Sequence, residues 1–434
     1  MFRALSIRNY RLFAYGSVIS NTGTWMQRVA QDWLVLQLTD NSGVALGITT
    51  GLQFLPILLL SPYAGLVADR FPKRRVLQAT QLAMAATAGV LGLLAVTGLA
   101  QTWQVYVLAF VFGIGTAFDG PTRQAFVVEM VGRDDLPNAV GLNSASFNAA
   151  RIVGPAVAGG LIAALGSGVR ATGWVILLNA FSYFAVVWSL RRMRGSELDT
   201  PEPAERSPGM IRDGVRYVRA RPDIMLVLTI VFFAGTFGLN FQMTTALMAT
   251  EVYHQGAGEY GILGSAMAVG SLAGALLAAR RGKPRQRLVI LAALAFGGLE
   301  IAAGLMPTYL TFALWLPLVG ITALTMITAA NSSIQLSVAP EVRGRVMALY
   351  MTIFMGGTPL GAPIVGWIGQ TFGARWTLIG GGILTIAGTL LATFIFTRRR
   401  GLVLRARLEP LPRMHVYDKA EYAELSEPRA RVSA

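Results

Sequence analysis

The chain contains one very long stretch without a charged side chain. From Val76 to Phe118 there is no Asp, Glu, Lys or Arg. A helix of roughly 20 apolar residues crosses a bilayer, so this stretch is long enough for two spans, and no water-soluble fold needs it. Of the 434 residues, 54% are hydrophobic and 14% are charged. This composition is typical of a protein that crosses the membrane many times.

Apolar runs bounded by glycine, proline and charge predict about twelve spans. Their predicted bounds are 10–37, 44–68, 76–98, 103–126, 138–166, 172–191, 223–250, 259–280, 287–306, 308–336, 343–370 and 376–397. Between the sixth and seventh spans, RGSELDTPEPAERSPG is expected to be extended, and IRDGVRYVRARPD has the spacing of a short surface helix. The predicted domains are a six-helix bundle at 1–191, a linker with that short helix at 192–222, a second six-helix bundle at 223–397 and a tail at 398–434.

The two predicted bundles are related in sequence. A shift of 207 residues superposes Leu142 on Leu349, Phe147 on Phe354, Gly154 on Gly361, Gly159 on Gly366 and Gly166 on Gly373. Glycine-rich coincidence is one explanation, but the shift equals the separation of the fifth and eleventh spans. A duplicated six-span unit explains this better, and many secondary transporters are built that way. The predicted fold class is therefore an all-α membrane protein with twelve transmembrane helices in two pseudo-symmetric six-helix bundles.

Basic residues indicate the orientation. They gather in DRFPKRR at 69–75, in the linker, in RRGKPRQR at 280–287 and in the RRR that begins the tail, whereas QLTDNSG, GLAQT, EVYHQGAGE and MPT contain no Lys or Arg. The positive-inside rule places both termini and the linker in the cytosol. The basic N-terminal segment MFRALSIRNYRLF is followed by no small-residue cleavage site, so it is expected to remain as the first span. The predicted location is a bacterial cytoplasmic membrane.

Composition also excludes several classes of function. The net charge of +15 belongs to loops between apolar segments, so no nucleic-acid partner is expected. There is no cysteine, and His254 and His415 are the only histidines, which excludes disulfides, thiol nucleophiles and a histidine metal cluster. No cofactor or metal is predicted. An enzyme is disfavoured because no paired acid-base site or phosphate-binding loop occupies a span.

The connection between the second and third spans reads GLVADRFPKRR, with Gly65, Asp69, Arg70 and Arg74. It resembles the cytosolic signature of the major facilitator superfamily, although Pro72 stands where that family usually has glycine. Gly65 would allow close helix packing. Asp69, at a helix end, would accept hydrogen bonds from the N-terminus of the eleventh span. The resemblance implies the major facilitator fold and a gating role for this motif.

A second signature extends from FDGPTRQAFVVEMV through RDDLPNAVGLNSASFNAARIVGPAVAGG. It resembles the secretion-effector branch of that superfamily, which includes the bacterial enterobactin exporter. The resemblance implies proton-driven export of a small organic molecule such as a drug, siderophore or secondary metabolite. Within it, Gly154, Pro155 and Gly159 resemble an antiporter motif, and close helix packing explains them equally well.

Charged residues inside spans are the other candidates, because burying one in lipid costs about 3 kcal/mol or more. With about 1.5 Å per residue from Leu12, Arg28 lies about 24 Å and Asp32 about 30 Å along the first span. That is the outer third, where Trp25 shares their face. Asp32 is expected to pair with Arg28 at the outer interface, to line the substrate path or to carry a proton, and an outer-vestibule pair is favoured over a midplane proton relay.

The remaining candidates lie deeper or at the inner end. Arg151 is about 20 Å along the fifth span and is expected to face a central cavity. Glu300 has no basic neighbour in its own helix and is a candidate for coupling or a silent hydrogen-bond donor. Asp119 and Arg123 have the favourable i, i+4 order and are predicted to form an inner charge network that breaks on opening.

In the seventh span, Phe237 and Asn240 suit an amphipathic ligand, although core packing is an alternative for the aromatic ring. The predicted function is a monomeric, proton-coupled exporter of small amphipathic molecules that works by alternating access. Uptake of a small metabolite and a non-transporting membrane sensor are the alternatives.

Overall fold

Transmembrane helices make up most of the molecule. The computed structural model describes residues 3–132, 134–198, 210–280, 286–400, 402–407 and 413–418. In these ranges the helices are α1 (Arg8–Leu38), α2 (Gly43–Arg70), α3 (Lys73–Thr97), α4 (Thr102–Met130), α5 (Leu136–Ala164), α6 (Val169–Arg192), α7 (Met210–Arg219), α8 (Pro222–Phe233), α9 (Phe241–Leu247), α10 (Ala257–Arg280), α11 (Gln286–Gly304), α12 (Tyr309–Ser337), α13 (Pro340–Phe372) and α14 (Arg375–Arg400).

The twelve predicted spans are confirmed. Within the described residues, eleven helical segments are long and apolar enough to cross a membrane, and Pro222–Val252 counts as one of them. The one predicted span missing from these eleven is the first, α1. It contains Arg28, Asp32 and several amides and is therefore too polar for that criterion. It is enclosed by α2, α4, α5 and α6, which contact it on several sides. A polar helix is tolerated there because it packs against protein rather than lipid.

The seventh span is interrupted. It consists of α8, a π-helical turn at Ala234–Gly238, α9 and a second π-helical turn at Met248–Val252. The side-chain amide of Asn240 donates a hydrogen bond of 2.8 Å to the carbonyl oxygen of Thr236. This bond satisfies a backbone group at the interruption, as the bilayer interior requires.

Equivalent glycines of the two bundles make equivalent contacts. A Cβ on Gly154 of the fifth span would lie 2.6 Å from the Cβ of Trp25 in the first, and one on Gly361 of the eleventh would clash with the carbonyl of Thr236 in the seventh. Gly166 and Gly373, which follow these two spans, both have a φ of 98°. The sequence repeat therefore corresponds to a structural one.

The two bundles meet along two helix pairs, α2 with α13 and α5 with α10. Glycines allow the closest approach. A Cβ on Gly43 would lie 2.7 Å from the carbonyl oxygen of Gly366, and one on Gly159 would clash with the carbonyl oxygen of Ala257. These contacts are near the α1–α2 connection, and we call that side of the molecule the closed end.

The opposite side, which carries the basic α2–α3 connection, is the open end. There α1 exposes Tyr15 and Ile19 to the extent of 60% and 53%. Residues 29–36, toward the closed end of the same helix, are all buried. Because α1 contacts α9 and α10 of the second bundle as well as helices of its own, we interpret these exposed residues as facing the space between the bundles. That space is accessible from the open end and sealed at the closed end.

The linker and the tail contain short elements. Helix α7 lies where the short surface helix is predicted, and just after it Arg221 donates hydrogen bonds to the carboxylate of Asp223 and to the carbonyl oxygen of Ser337. The bond to Asp223 raises the pKa of Arg221. In the tail, β1 (Leu402–Arg407) pairs with β2 (Arg413–Asp418) as an antiparallel hairpin, an element that the all-α prediction did not include.

The neighbouring glycines Gly159 and Gly160 provide a matched test of the bundle contact. Gly159→Ala should lower the thermal unfolding midpoint in detergent, because its methyl group meets the backbone of Ala257 and overpacking costs about 1–3 kcal/mol. Gly160 has no atom within 4 Å of its Cβ position. Gly160→Ala should therefore leave the midpoint unchanged or raise it, since alanine is the better helix former. Equal midpoints for the two variants would contradict the close contact.

Candidate functional site

The closed end is sealed by a hydrogen bond between the bundles. Tyr260 of α10 donates from its hydroxyl to Asp32 Oδ2 of α1 at 2.9 Å, and its ring stacks on Trp33 with 6.4 Å between centroids. The same hydroxyl lies 3.2 Å from the carbonyl oxygen of Gln242. Both Asp32 and Tyr260 are buried. The carboxylate of Asp32 therefore bonds across the interface, to a residue that nothing in the local sequence identifies.

A second cluster surrounds Trp25, about two helical turns nearer the open end than Asp32. The guanidinium carbon of Arg28 lies 4.7 Å from the Trp25 ring centroid, and that of Arg151 lies 5.6 Å from it. The ring of Phe147 packs edge to face on the same indole, with 5.8 Å between the ring centroids. Arg28 also donates to Gln242 Oε1 at 3.4 Å. Trp25, Arg28 and Asp32 of α1 and the distant Arg151 of α5 thus occupy one region between the bundles.

Asp119 and Arg123 form an ion pair, with 3.0 Å between Arg123 Nε and Asp119 Oδ2. Asp119 also accepts hydrogen bonds from Thr80 and Gln81 of α3 at 3.0 and 2.7 Å. Arg123 donates to Ser17 Oγ of α1 at 3.0 Å. These contacts join three helices of the first bundle. They hold α1 against α3 and α4 in a conformation whose closed end is sealed.

The motif of the α2–α3 connection has mixed surroundings. Gly65 and Asp69 are half-buried, and Arg70 is exposed. Arg74 donates to the carbonyl oxygen of Arg191 at the end of α6, at 3.0 Å. These residues lie at the open end, where the loop joins helices of the first bundle.

Sequence reasoning missed the buried ion pair of this motif. Lys73 Nζ lies 2.6 Å from Glu129 Oε1 of α4, and the two side chains are only 9% and 4% exposed. The positive-inside rule accounts for Lys73 as a topology signal, and Glu129 lies at the end of an apolar run, so neither indicated a partner. Only the return of α4 beside α3 brings them together.

Glu300 belongs to a third group, inside the second bundle. It is fully buried, and neither carboxyl oxygen has a hydrogen-bond partner within the described part of the chain. A Cβ on Gly381 would lie 2.9 Å from Glu300 Oε1 and 2.7 Å from the carbonyl oxygen of Phe237. One on Gly238 would lie 3.0 Å from Glu300 Oε2. The two glycines thus leave room for this carboxyl group at the interruption of the seventh span.

The other predicted residues of the seventh span, Phe237 and Asn240, lie at its interruption. Asn240 is buried, and its side-chain oxygen has no partner among the described residues. The ring of Phe237 is 6.3 Å from that of Phe233, so it packs within its own helix. The structure therefore divides the predicted path residues into an interface group around Trp25 and a buried group around Glu300. In the described residues, no cluster of three or more His, Cys, Asp or Glu side chains could hold a metal.

The Lys73–Glu129 pair can be tested by a double-mutant cycle. Lys73→Met should lower the thermal unfolding midpoint strongly, because it leaves Glu129 buried without its partner, a change that costs about 3–5 kcal/mol. The double variant Lys73→Met with Glu129→Leu should recover much of that loss, since no buried charge remains. Circular dichroism in detergent measures both.

Arg75 supplies the matched control for that cycle, because it is basic, exposed and only two residues away. Arg75→Met should change the free energy of unfolding by no more than about 0.5 kcal/mol, so its midpoint should stay close to that of the wild type. A drop as large as that of Lys73→Met would show that the general loss of a basic residue, and not the buried pair, matters.

Comparisons with known proteins agree on the family. The model of the transmembrane secretion effector family matches residues 1–416. The staphyloferrin A transporter of Staphylococcus aureus is 26% identical over 392 residues, which cover 89% of this chain and 96% of the relative. The multidrug efflux pump Tap of Mycolicibacterium fortuitum is 27% identical over 393 residues, which cover 88% and 95%.

Solved structures show the same fold. A bacterial homologue of the human lysosomal transporter Spinster, inward-facing and occupied, superposes with a TM-score of 0.68 at 17% identity, covering 90% of this chain and 97% of that one. A D-xylose-proton symporter superposes with a TM-score of 0.69 at 12% identity, covering 89% and 96%. With the family match and the twelve-span architecture, these findings establish that the chain belongs to the transmembrane secretion effector family of the major facilitator superfamily and is a multi-pass membrane transporter.

Proposed function

We propose that this protein exports small amphipathic organic molecules across the bacterial cytoplasmic membrane in exchange for protons. The observation that carries the proposal is the asymmetry of the space between the bundles, which is sealed by Asp32 and Tyr260 at one end and accessible at the other. A transporter that works by alternating access must have such a state. The named relatives, which include a siderophore transporter and an efflux pump, support export.

In this proposal the open end faces the cytosol. The basic residues of the α2–α3 connection lie at that end, as do those of the linker in its described residues 192–198 and 210–222, and the positive-inside rule expects this on the cytosolic side. Both termini would then be cytosolic, and the structure would represent the inward-open state. A substrate would enter from the cytosol and reach Trp25 before meeting the seal. We expect a single chain to be sufficient, because both bundles of the site come from it.

The transport cycle would exchange contacts at the two ends. Residues 1–191 and 223–397 would rock about α2–α13 and α5–α10, separating Tyr260 from Asp32 at the outer side. At the cytosolic side, Asp69 would then accept hydrogen bonds from the N-terminus of α13. Asp119 and Arg123 bond within the first bundle. They would keep α1 aligned with α3 and α4 during the movement.

Two buried carboxyl groups are the candidates for proton coupling. Asp32 would lose its bond to Tyr260 when the outer end opens and would then be reachable from outside. Glu300 is fully buried and has no hydrogen-bond partner among the described residues. An ionised carboxylate there is very costly, so this group would bind and release a proton as the seventh span rearranges.

Transport in inside-out vesicles tests the function. The vesicles would contain the purified protein, and uptake of a panel of fluorescent amphipathic compounds would be measured with and without an imposed pH gradient, acidic inside. At least one compound should accumulate several-fold more with the gradient, because each proton leaving the vesicle drives substrate inward. Uptake that does not depend on the gradient would contradict antiport.

Glu300→Gln is the informative variant in the same vesicles. It keeps the shape of the side chain and removes the titratable group, so accumulation should fall to the gradient-independent level while downhill exchange of the same compound continues. Arg170→Gln, an exposed change at the closed end, serves as the control and should transport normally. A fully active Glu300→Gln protein would assign the proton to another group.

The absence of native cysteine allows a clean test of the seal. Ala257→Cys introduces a thiol at a buried position of the bundle contact. Its labelling by a membrane-impermeant maleimide from outside should be slow, and several-fold faster when Tyr260→Phe or Asp32→Asn is added, because each change weakens the bond across the interface. A cysteine at exposed position 170 should react equally in all backgrounds. Unchanged labelling of Ala257→Cys would show that the bond does not hold the outer end closed.

A further inference from the structure

The arrangement of positive charge around Trp25 indicates the chemistry of the substrate. Two guanidinium groups, from Arg28 of α1 and Arg151 of α5, lie against the same indole ring. Like charges repel at short range, and the bilayer interior makes an unpaired charge expensive. Placing two cations close together here therefore costs free energy, which other interactions of the folded protein or of a bound ligand must offset.

Within the described residues, no ion pair joins a carboxylate to Arg28 or Arg151. The ion pairs there involve other cations, among them Arg3, Lys73, Arg123, Arg194 and Arg221. Asp32, one turn from Arg28 on the same helix, accepts its hydrogen bond from Tyr260. Even if its charge offsets one guanidinium, the other remains, so the region retains at least one net positive charge.

Arg28 also has unused hydrogen-bonding capacity. Its Nε is buried and has no partner among the described residues, and its bond to Gln242 is long at 3.4 Å. A guanidinium presents donors in a planar fork that fits a carboxylate with two parallel hydrogen bonds. Arg28 thus has a buried donor for which the described residues supply no acceptor.

The walls of this region suit an aromatic or apolar body. Trp25 contacts Phe147 edge to face, and Arg28 also lies 5.8 Å from the ring centroid of Phe54. Phe147 is 46% exposed and lies one turn from Arg151 toward the open end. Gly154 keeps the indole in place, since a Cβ there would lie 2.6 Å from the Cβ of Trp25. A flat ligand could pack on these rings while its acidic group reaches the two arginines.

We infer that Arg28 and Arg151, which both contact Trp25, form a binding site for the acidic group of an aromatic or apolar organic acid, so that the preferred substrates are amphipathic anions. This inference rests on the proposed export function only for the direction of transport. Binding of the anion would also reduce the pull of Arg28 on Asp32, which would link substrate occupancy to the group that seals the outer end.

Matched pairs of acids and neutral amides test the site by binding alone. The probes are 2-naphthoate with 2-naphthamide and indole-3-acetate with indole-3-acetamide, titrated calorimetrically into the detergent-solubilised protein near neutral pH. The wild type should bind at least one acid 10-fold or more tightly than its amide. Arg28→Gln and Arg151→Gln should each reduce that preference to about 2-fold or less, whereas Arg151→Lys should retain part of it because the charge remains.

Arg170→Gln is the matched control, since this arginine is exposed and remote from Trp25 in the sequence and in the fold. It should leave the preference for acids intact. Equal binding of acids and amides, absence of binding by every probe, or equal loss in the control would overturn the inference. An acid that binds as expected but does not accumulate with a pH gradient would contradict the proposed export and leave the anion site standing.

Discussion

The bilayer interior offers no water, so each polar group of a spanning helix depends on the protein for its partner. The buried charges of this structure follow that constraint. Lys73 is neutralised by Glu129, Asp119 accepts hydrogen bonds from Thr80, Gln81 and Arg123, and Asp32 accepts one from Tyr260. The first two arrangements lie within one bundle and stabilise it. The third joins the bundles, so the same requirement that stabilises helices elsewhere provides a contact that can open.

Glycines determine how close the bundles come. Gly43 and Gly366, and Gly159 and Gly261, face each other across the interface so closely that the backbones touch. In lipid, such close packing replaces the hydrophobic effect as the source of helix association. A contact of this kind contains few interdigitated long side chains. It therefore suits two bundles that must separate at one end while remaining in contact at the other.

The fold could be predicted well from the sequence. The apolar runs place every span within a few residues of its observed ends, and the glycine spacing identifies the repeat, whose members Gly154 and Gly361 prove to have equivalent contacts. Gly235 and Gly238 weaken the helix of the seventh span, but they do not by themselves predict where it is interrupted. The two π-helical turns depend on how α8 and α9 pack against α13 and α14, which the local sequence does not specify.

The sequence by itself determined which side chains are costly to bury, because a charge such as Arg28, Asp32, Arg151 or Glu300 within an apolar run is a local property of the chain. Only the tertiary structure decided their partners. Tyr260 lies 228 residues from Asp32, and Glu129 lies 56 residues from Lys73. A hydrogen bond over such separations requires a particular rotation and tilt of two helices. Apolar patterning determines which face of a helix is buried. It does not determine the positions of donor and acceptor atoms to within the few tenths of an ångström that a hydrogen bond needs.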